Sequence, residues 1–133
     1  MQSLIVARSG AIQEALTTIL SSIPQINIIG VAENSLTALE MMQIHHPELL
    51  IVDDNFSEGE TLEFIYRLKT AWPQTHIVVL ADRSQQEQPL IDSGADAVLL
   101  RGISTEQITE TINRIRLGKT INQNSYTRGE NND

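Results

Sequence analysis

Apolar residues recur along the chain in five short runs, separated by segments with a different spacing. The runs cover residues 4–7, 26–31, 49–52, 77–80 and 97–100. Each run is continuous rather than alternating and contains β-branched residues, which is typical of a strand covered on both faces of a parallel sheet. The pattern therefore predicts five strands that are buried on both faces.

The segments between the runs have apolar residues at every third or fourth position, which is the spacing of one helix face. The four clearest stripes are Ile12, Ala15, Leu16, Ile19 and Leu20; Leu36, Leu39 and Met42; Leu62, Ile65, Leu68 and Trp72; and Ile108, Ile112 and Ile115. A further helix is expected to be short and to begin near Glu87 or Pro89, because proline cannot donate the backbone hydrogen bond of an interior helical position. Helices and strands therefore alternate.

Polar residues at the predicted helix ends agree with this interpretation. Asn34 or Ser35 can cap the second helix, and Ser104 with Gln107 three residues later forms a capping box for the last helix, which we expect to end near Gly118. Strict alternation implies right-handed crossovers and a parallel sheet covered on both faces. The sequence predicts a doubly wound α/β domain whose ligand site lies beyond the carboxyl ends of the strands.

The length and composition suit one hydrophobic core. The chain has 133 residues, of which 41% are apolar, and independent domains usually need roughly 100 to 150 residues. We assign residues 1–118 to a single domain. Residues 119–133 contain few large apolar side chains, so burial cannot offset the entropy of ordering them, and we expect a disordered polar tail.

The charge is negative and unevenly distributed. Seventeen Asp and Glu against nine Lys and Arg give a net charge of −8, and residues 9–66 contain nine acids but neither Lys nor Arg. Direct binding of nucleic acid is not expected, because a polyanion would be repelled. The absence of cysteine excludes disulfides and thiolate chemistry. The sequence lacks a membrane-span or signal-peptide pattern, so we expect a cytoplasmic protein without a membrane partner.

Asp53 and Asp54 follow the third predicted strand, where a carboxylate can act as a nucleophile or a metal ligand. Adjacent side chains of a strand point to opposite faces, so we expect only one of them to face the central site. An acidic strand-to-loop cap is the alternative. Asn55 replaces the second Asp of a haloacid-dehalogenase-type phosphatase, and no glycine-rich phosphate loop follows the first strand. Both of those chemistries are disfavoured.

Three segments resemble the response-regulator receiver domains of two-component signalling, most closely those of regulators with a LuxR-type output domain. The segments are PELLIVD at residues 47–53, WPQTHIVVL at residues 72–80 and GADAVLL at residues 94–100. The resemblance covers about residues 3–118. It implies a flavodoxin-like (CheY-like) three-layer sandwich, with five parallel strands in the order 2-1-3-4-5 and with Asp53 at the phosphoacceptor position.

Several positions that carry activity in the resembled family hold other residues here. They are Ala7 and Arg8 for the two Mg²⁺-binding acids, Ala81 for the hydroxyl residue that ends the fourth strand, Val98 for the switch aromatic, Arg101 for the lysine that ends the fifth strand, and Ser57 and Thr61 for a loop proline and glycine. Of the usual set only Asp53 remains. The resemblance therefore implies an altered pocket with no catalytic residue, no metal ligand set, and weak or absent Mg²⁺ binding.

Arg8 stands where a metal ligand would be expected. Its charge would repel Mg²⁺, because two unit charges about 4 Å apart interact by about 4 kcal/mol at an effective dielectric of about 20. We expect Arg8 to lie across the site and to form a salt bridge with Asp53, joined by Arg101. The alternative is that the pocket has drifted and Arg8 is exposed on the surface.

The leading hypothesis is a degenerate, non-enzymatic receiver that acts in a signalling pathway through protein–protein interaction. Its partner would be a histidine kinase or another regulator, and a homodimer is also considered. The resemblance places the interaction face on the fourth helix, fifth strand and fifth helix, with residues Pro89, Leu90, Arg101, Glu106 and Glu110. Because Val98 replaces the aromatic, we do not expect an aromatic switch to couple the pocket to this face.

Two other interpretations stay open. In the first, Asp53 still accepts a phosphoryl group from a histidine kinase, with Arg8 and Arg101 stabilising it in place of Mg²⁺. In the second, the chain is the receiver portion of a longer LuxR-type transcription regulator, and residues 119–133 are an interdomain linker. A phosphodonor assay distinguishes the first from the leading hypothesis, and the length of the native gene tests the second.

Overall fold

The computed structural model describes residues 1–55 and 58–118, which form a five-stranded parallel sheet with helices on both faces. The strands are β1 Gln2–Val6, β2 Asn27–Ala32, β3 Leu49–Asp53, β4 His76–Ala81 and β5 Ala97–Leu100. Their spatial order is β2-β1-β3-β4-β5, and every neighbouring pair is parallel. The doubly wound fold and its strand order are therefore confirmed.

The helices are α1 Gly10–Ser21, α2 Ser35–His45, α3 Glu58–Ala71, α4 Glu87–Ser93 and α5 Thr105–Arg116, and a short 3₁₀ helix Ser84–Gln86 precedes α4. The short α4 agrees with the position of Pro89, which lies in its first turn, where backbone N–H groups have no intrahelical partner. Residues 119–133, for which we predict a disordered tail, lie outside the described residues.

The two predicted caps are present. Asn34 Oδ1 accepts a hydrogen bond from the Thr37 amide at 2.8 Å at the start of α2. At the start of α5, Ser104 Oγ accepts from the Gln107 amide, and Gln107 Oε1 accepts from the Ser104 amide, each at 3.2 Å. These bonds satisfy backbone N–H groups that have no acceptor within the helix, and they explain where the two helices begin.

Apolar side chains form one core layer on each face of the sheet. Leu4 and Val6 of β1 belong to the layer that includes residues of α2, α3 and α4, whereas Ile5 belongs to the layer that includes residues of α1 and α5. The alternation follows from the strand geometry, in which successive side chains point to opposite faces. The central strands β3 and β4 are almost completely buried, as predicted.

Three expectations about burial are wrong. The edge strands β2 and β5 are only partly buried, because each has a neighbour on one side alone. Ala15 of α1 is exposed, since Leu16 and Leu20 form the buried face of that helix. Leu36 of α2 is 67% exposed, because α2 buries Ala38 and Met42 instead.

Candidate functional site

Asp53 is the last residue of β3 and lies at the carboxyl-terminal end of the sheet, where β1, β4 and β5 also end. Its side chain is only 1% exposed. Parallel strands end at one edge of the sheet, so the loops that follow them meet around this carboxylate. The structure therefore places Asp53 where the strand pattern predicts the site.

Arg101 is the ion-pair partner of Asp53. Arg101 Nε and Nη2 both donate to Asp53 Oδ1, at 3.0 and 2.8 Å, and Nη2 also donates to the backbone carbonyl of Asp54 at 3.2 Å. Arg101 Nη1 forms a further ion pair with Asp82 Oδ1. A guanidinium can hold several oxygens at once because its five N–H donors form a rigid planar fork. Arg101 therefore connects three loops at the edge of the sheet.

The backbone determines where Arg101 stands. It follows β5, and its amide donates to the Ala81 carbonyl of β4 at 2.8 Å. Because β4 lies between β3 and β5, the Arg101 side chain crosses the end of β4 to reach Asp53. Ala81 is fully buried at that crossing and offers only a methyl group. A small residue there leaves the path between the two charged groups open.

Asp54 takes part in a separate network. Thr61 Oγ1 of α3 donates to Asp54 Oδ1 at 2.7 Å, and Gln86 Nε2 donates to Oδ2 at 2.9 Å. Gln86 Oε1 in turn accepts from the amides of Asp82 and Arg83, at 3.0 and 2.9 Å. Asp53 and Asp54 thus have different side-chain partners, as the strand alternation predicts. The side-chain amide of Gln86 therefore links the loop after β4 to the end of β3 through hydrogen bonds.

Two members of this site, Asp82 and Gln86, are not among the site residues predicted from the sequence. Asp82 directly follows β4, so the strand pattern that identifies Asp53 also places Asp82 at the same edge. Gln86 gives no such signal, because its side chain reaches Asp54 only through the 3₁₀ helix Ser84–Gln86. Asp82 could therefore have been predicted from the sequence, whereas the contact of Gln86 with Asp54 depends on a local turn.

The prediction of a salt bridge between Arg8 and Asp53, joined by Arg101, is confirmed for Arg101 and wrong for Arg8. The ion pair that the structure shows at Asp53 is made by Arg101. Arg8 is exposed, and its Nη1 donates to the backbone carbonyl of Asn55 at 3.4 Å. Both arginines follow a strand, but Asp53 Oδ1 lies within 3.0 Å of the Arg101 fork.

The residues near Asp53 do not match a divalent metal site. Mg²⁺ prefers oxygen ligands such as carboxylates, yet Ala7 is fully buried with an apolar side chain and Arg8 adds positive charge. The Ala7 carbonyl already accepts a hydrogen bond from Gln13 Nε2 at 2.6 Å. Within residues 1–55 and 58–118, no group of three or more His, Cys, Asp or Glu could hold a metal ion. The donor set here therefore does not suit Mg²⁺.

The other altered positions are apolar or lie outside the described residues. Ala81 carries no hydroxyl group, and Val98 of β5 is partly buried against the core layer that includes residues of α3 and α4. Thr61 binds Asp54, and Ser57 lies outside the described residues. In the described part of the pocket, the ion pair that involves a buried carboxylate is therefore the one between Asp53 and Arg101.

The predicted interaction face is only partly on the surface. Pro89, Glu106 and Glu110 are exposed, and Glu110 pairs with Arg114 at 2.9 Å. Leu90 is only 2% exposed, so its place on the face is wrong; α4 turns this side chain toward the sheet. Arg101 is also turned inward, to Asp53.

None of the helices in the described ranges combines the length and the apolar character that crossing a membrane would need.

Comparison with known proteins identifies related sequences. Residues 4–113 match the family model of the response regulator receiver domain. The uncharacterized transcriptional regulatory protein YhcZ of Bacillus subtilis is 26% identical over 102 residues, which are 75% of this chain and 48% of that protein. The nitrate/nitrite response regulator protein NarL of Escherichia coli K12 is 23% identical over 111 residues, or 82% and 51%. The chain spans about half the length of these relatives.

Comparison with solved structures gives the same fold. The isolated REC domain of RcsB from Salmonella enterica serovar Typhimurium superposes with a TM-score of 0.83 at 18% identity, and the match covers 96% of both chains. Together with the sequence relatives, this match confirms the resemblance to LuxR-type receivers.

Proposed function

The chain belongs to the response regulator receiver domain family of two-component signalling, and from this premise we propose that it signals without Mg²⁺-dependent phosphorylation. It is a degenerate, non-enzymatic receiver whose output is carried by contacts with other proteins. The usual chemistry of the family requires a metal and an accessible carboxylate, and the residues of this site favour neither.

The ion pair between Arg101 and Asp53 is the observation that carries this proposal. The acceptor carboxylate is 1% exposed, and Arg101 donates two hydrogen bonds to its Oδ1. Phosphoryl transfer forms a bond from a carboxylate oxygen to phosphorus while the bond to the donor's leaving group breaks. Arg101 occupies one of the two oxygens of the acceptor, and a donor would have to approach a carboxylate that is almost completely buried.

Charge also argues against the metal-dependent route. A phosphoryl group and a carboxylate are both anionic, so their reaction depends on cations that stabilise the transition state. Ala7 supplies no carboxylate for a divalent ion, and Arg8 brings a positive charge to the same loop. Mg²⁺ is accordingly expected to bind weakly or not at all.

The competing prediction is that a histidine kinase phosphorylates Asp53, with Arg101 and Arg8 replacing Mg²⁺. Its support is the retained carboxylate at the end of β3 and the guanidinium nitrogen 2.8 Å from it. A cation at that distance would also be close to the oxygens of an attached phosphoryl group. The two functions therefore differ in one measurable event, a covalent adduct on Asp53.

A phosphodonor experiment separates the two. The full chain is incubated with acetyl phosphate, with and without Mg²⁺, and its intact mass is measured. We expect no phosphoryl adduct under either condition, while a competent receiver treated in parallel shows that the donor is active. Asp53→Asn is the matched control. An adduct on the natural chain that is absent from Asp53→Asn overturns the proposal.

The partner and setting follow from the same proposal. The partner is a protein of a cytoplasmic signalling pathway, a histidine kinase or another regulator, and neither nucleic acid nor a membrane binds this chain directly. Homodimer formation stays a prediction that light scattering tests. The continuation into a LuxR-type output domain also stays a prediction, and the reading frame of the native gene tests it.

A further inference from the structure

Helix α2 differs from the other helices in how its apolar residues are arranged. Within Ser35–His45, apolar side chains occur on every side of the helix, whereas α5 has its large apolar residues on one buried face. A helix that is apolar all round is normally covered on all sides. The core covers the side of α2 that carries Ala38 and Met42, and Leu39 and Met41 are partly buried beside them.

The outer side of α2 exposes two large aliphatic residues. Leu36 is 67% exposed and Ile44 is 71% exposed. Positions 36, 40 and 44 follow one another at the spacing that places side chains on one helix face. Leu36 and Ile44 are therefore about 12 Å apart along the helix axis, from a rise of about 1.5 Å per residue. Glu40 and Gln43 are exposed between them.

These four residues define one surface, called here the α2 surface. Single exposed apolar residues are common, but two large ones on the same helix face can serve together as anchors for a partner. The spacing of Leu36 and Ile44 suits a partner helix, since such helices present apolar anchors one and two turns apart.

The charge around the α2 surface indicates the kind of partner. Glu40 lies on the surface and Glu33 is exposed in the loop before α2, whereas residues 9–66 contain neither Lys nor Arg. Helix α1, strand β2 and helix α2 therefore contain neither Lys nor Arg. A basic partner would be attracted to it, with the strongest effect at low salt.

We propose that the α2 surface binds a cationic amphipathic helix of a partner protein. Its apolar residues would pack on Leu36 and Ile44, and its Lys or Arg residues would lie beside Glu40. A second copy of the chain is the less suitable occupant, because a two-fold contact pairs the same surface with itself and would bring the two Glu40 side chains together. The net charge of −8 on each copy adds to that repulsion.

This inference deepens the proposed function, because it names a surface and a partner chemistry for a receiver that works through protein contacts. It does not involve Asp53. A failure here would leave the phosphodonor result unaffected, and an adduct on Asp53 would leave binding at α2 unaffected. The two proposals are therefore tested separately.

The test uses the full chain and defined peptides. A fluorescent Leu/Lys helix of about 14 residues, with its leucines on one face, would span the α2 surface. A peptide with Glu in place of Lys tests the charge, and a scrambled peptide of the same composition tests the apolar face. Affinity is measured by fluorescence anisotropy, and the binding site is located from NMR amide shifts.

The protein variants are chosen to keep the helix intact. The double change Leu36→Gln with Ile44→Gln removes the apolar anchors with residues that remain compatible with a helix. Glu40→Lys reverses the local charge. Leu117→Gln is the matched control, because Leu117 is also exposed, at 59%, but follows α5. Thermal melting checks that each variant is folded.

We expect the Leu/Lys helix to bind the natural chain with amide shifts centred on α2. The double change should weaken binding about tenfold or more, Glu40→Lys should weaken it severalfold in low salt, and Leu117→Gln should leave it unchanged. Equal binding by the double variant, equal binding of the scrambled peptide, or shifts centred on α5 would overturn the proposal. So would self-association of the natural chain that is lost in the double variant, since it would make a second copy the occupant.

Discussion

Replacing Arg101 by Met tests the central ion pair most directly. The substitution keeps a long, linear side chain but removes the charge and the donors. In the natural chain, Nε and Nη2 give two charge-assisted hydrogen bonds to Asp53 Oδ1, at 3.0 and 2.8 Å. Without them, the Asp53 carboxylate, which is 1% exposed in the natural chain, loses this cation.

The expected loss of stability follows from these contacts. Breaking a buried ion pair by removing one partner costs about 3 to 5 kcal/mol, because the remaining charge stays buried without compensation. The Arg101 side chain is 31% exposed, so solvent screens part of the interaction in the natural chain. The contact with Asp82 adds little, since that carboxylate is 55% exposed. We therefore expect Arg101→Met to lower the free energy of unfolding by about 2 to 4 kcal/mol.

Urea unfolding of four chains measures this effect. The natural chain, Arg101→Met, Asp53→Asn and the double variant form a thermodynamic cycle, and the cycle isolates the coupling between the two residues. Asp53→Asn removes the buried charge that lacks a partner, so we expect the double variant to lose less stability than the sum of the two single variants. A coupling of about 2 kcal/mol is expected.

Arg114→Met provides a matched control on the protein surface. Arg114 and Glu110 form an i,i+4 pair at 2.9 Å, with side chains that are 47% and 63% exposed. The same substitution there should cost no more than about 0.5 kcal/mol. The stabilising role of the ion pair is contradicted if Arg101→Met costs no more than Arg114→Met, or if the effects of Arg101→Met and Asp53→Asn simply add.

Three further substitutions test other parts of the structure. Gln86→Ala should cost about 1 to 2 kcal/mol and speed hydrogen exchange at the amide of Asp82, because it removes the acceptor of that amide; unchanged exchange would contradict this. Arg8→Asp should bring Mg²⁺ affinity into the range of calorimetry by exchanging a cation for an oxygen ligand, whereas equal heats for both chains would contradict the charge argument. Ser104→Ala should lower stability by about 1 kcal/mol in urea unfolding, because it removes the cap of α5, and no loss would contradict that role.

Much of the fold can be predicted from the sequence, because buried strands and buried helix faces require characteristic patterns of apolar residues. The central strands β3 and β4 are continuous apolar runs, and the stripe Ile108, Ile112 and Ile115 is buried in α5 as its spacing predicts. The position of Asp53 follows from the same logic, since the residue that ends a central parallel strand lies at the edge of the sheet that holds the site.

The remaining errors concern which way a side chain faces. Helical spacing gives the period of a stripe but not which side meets the sheet. The stripe Leu36, Leu39 and Met42 therefore wrongly predicts a buried Leu36, whereas the structure buries Ala38 and Met42. The short helix α4 buries Leu90 for a reason its sequence does not contain, namely its packing on the core beside α3. Arg8 and Arg101 both follow strands, and only the three-dimensional path across the end of β4 decides which of them reaches the buried carboxylate.

The reach of Arg101 across β4 has a consequence for the edge of the molecule. Strand β5 is hydrogen-bonded along one side only, to β4, and strands in that position normally fray first. Here Arg101, the residue that follows β5, is paired with Asp53 at the end of β3, which is two strands away in the sheet and 48 positions away in the sequence. Local opening of β5 would have to break an ion pair whose carboxylate is buried. Such opening should therefore be coupled to disruption of the central strands rather than occur as an independent, low-energy fluctuation.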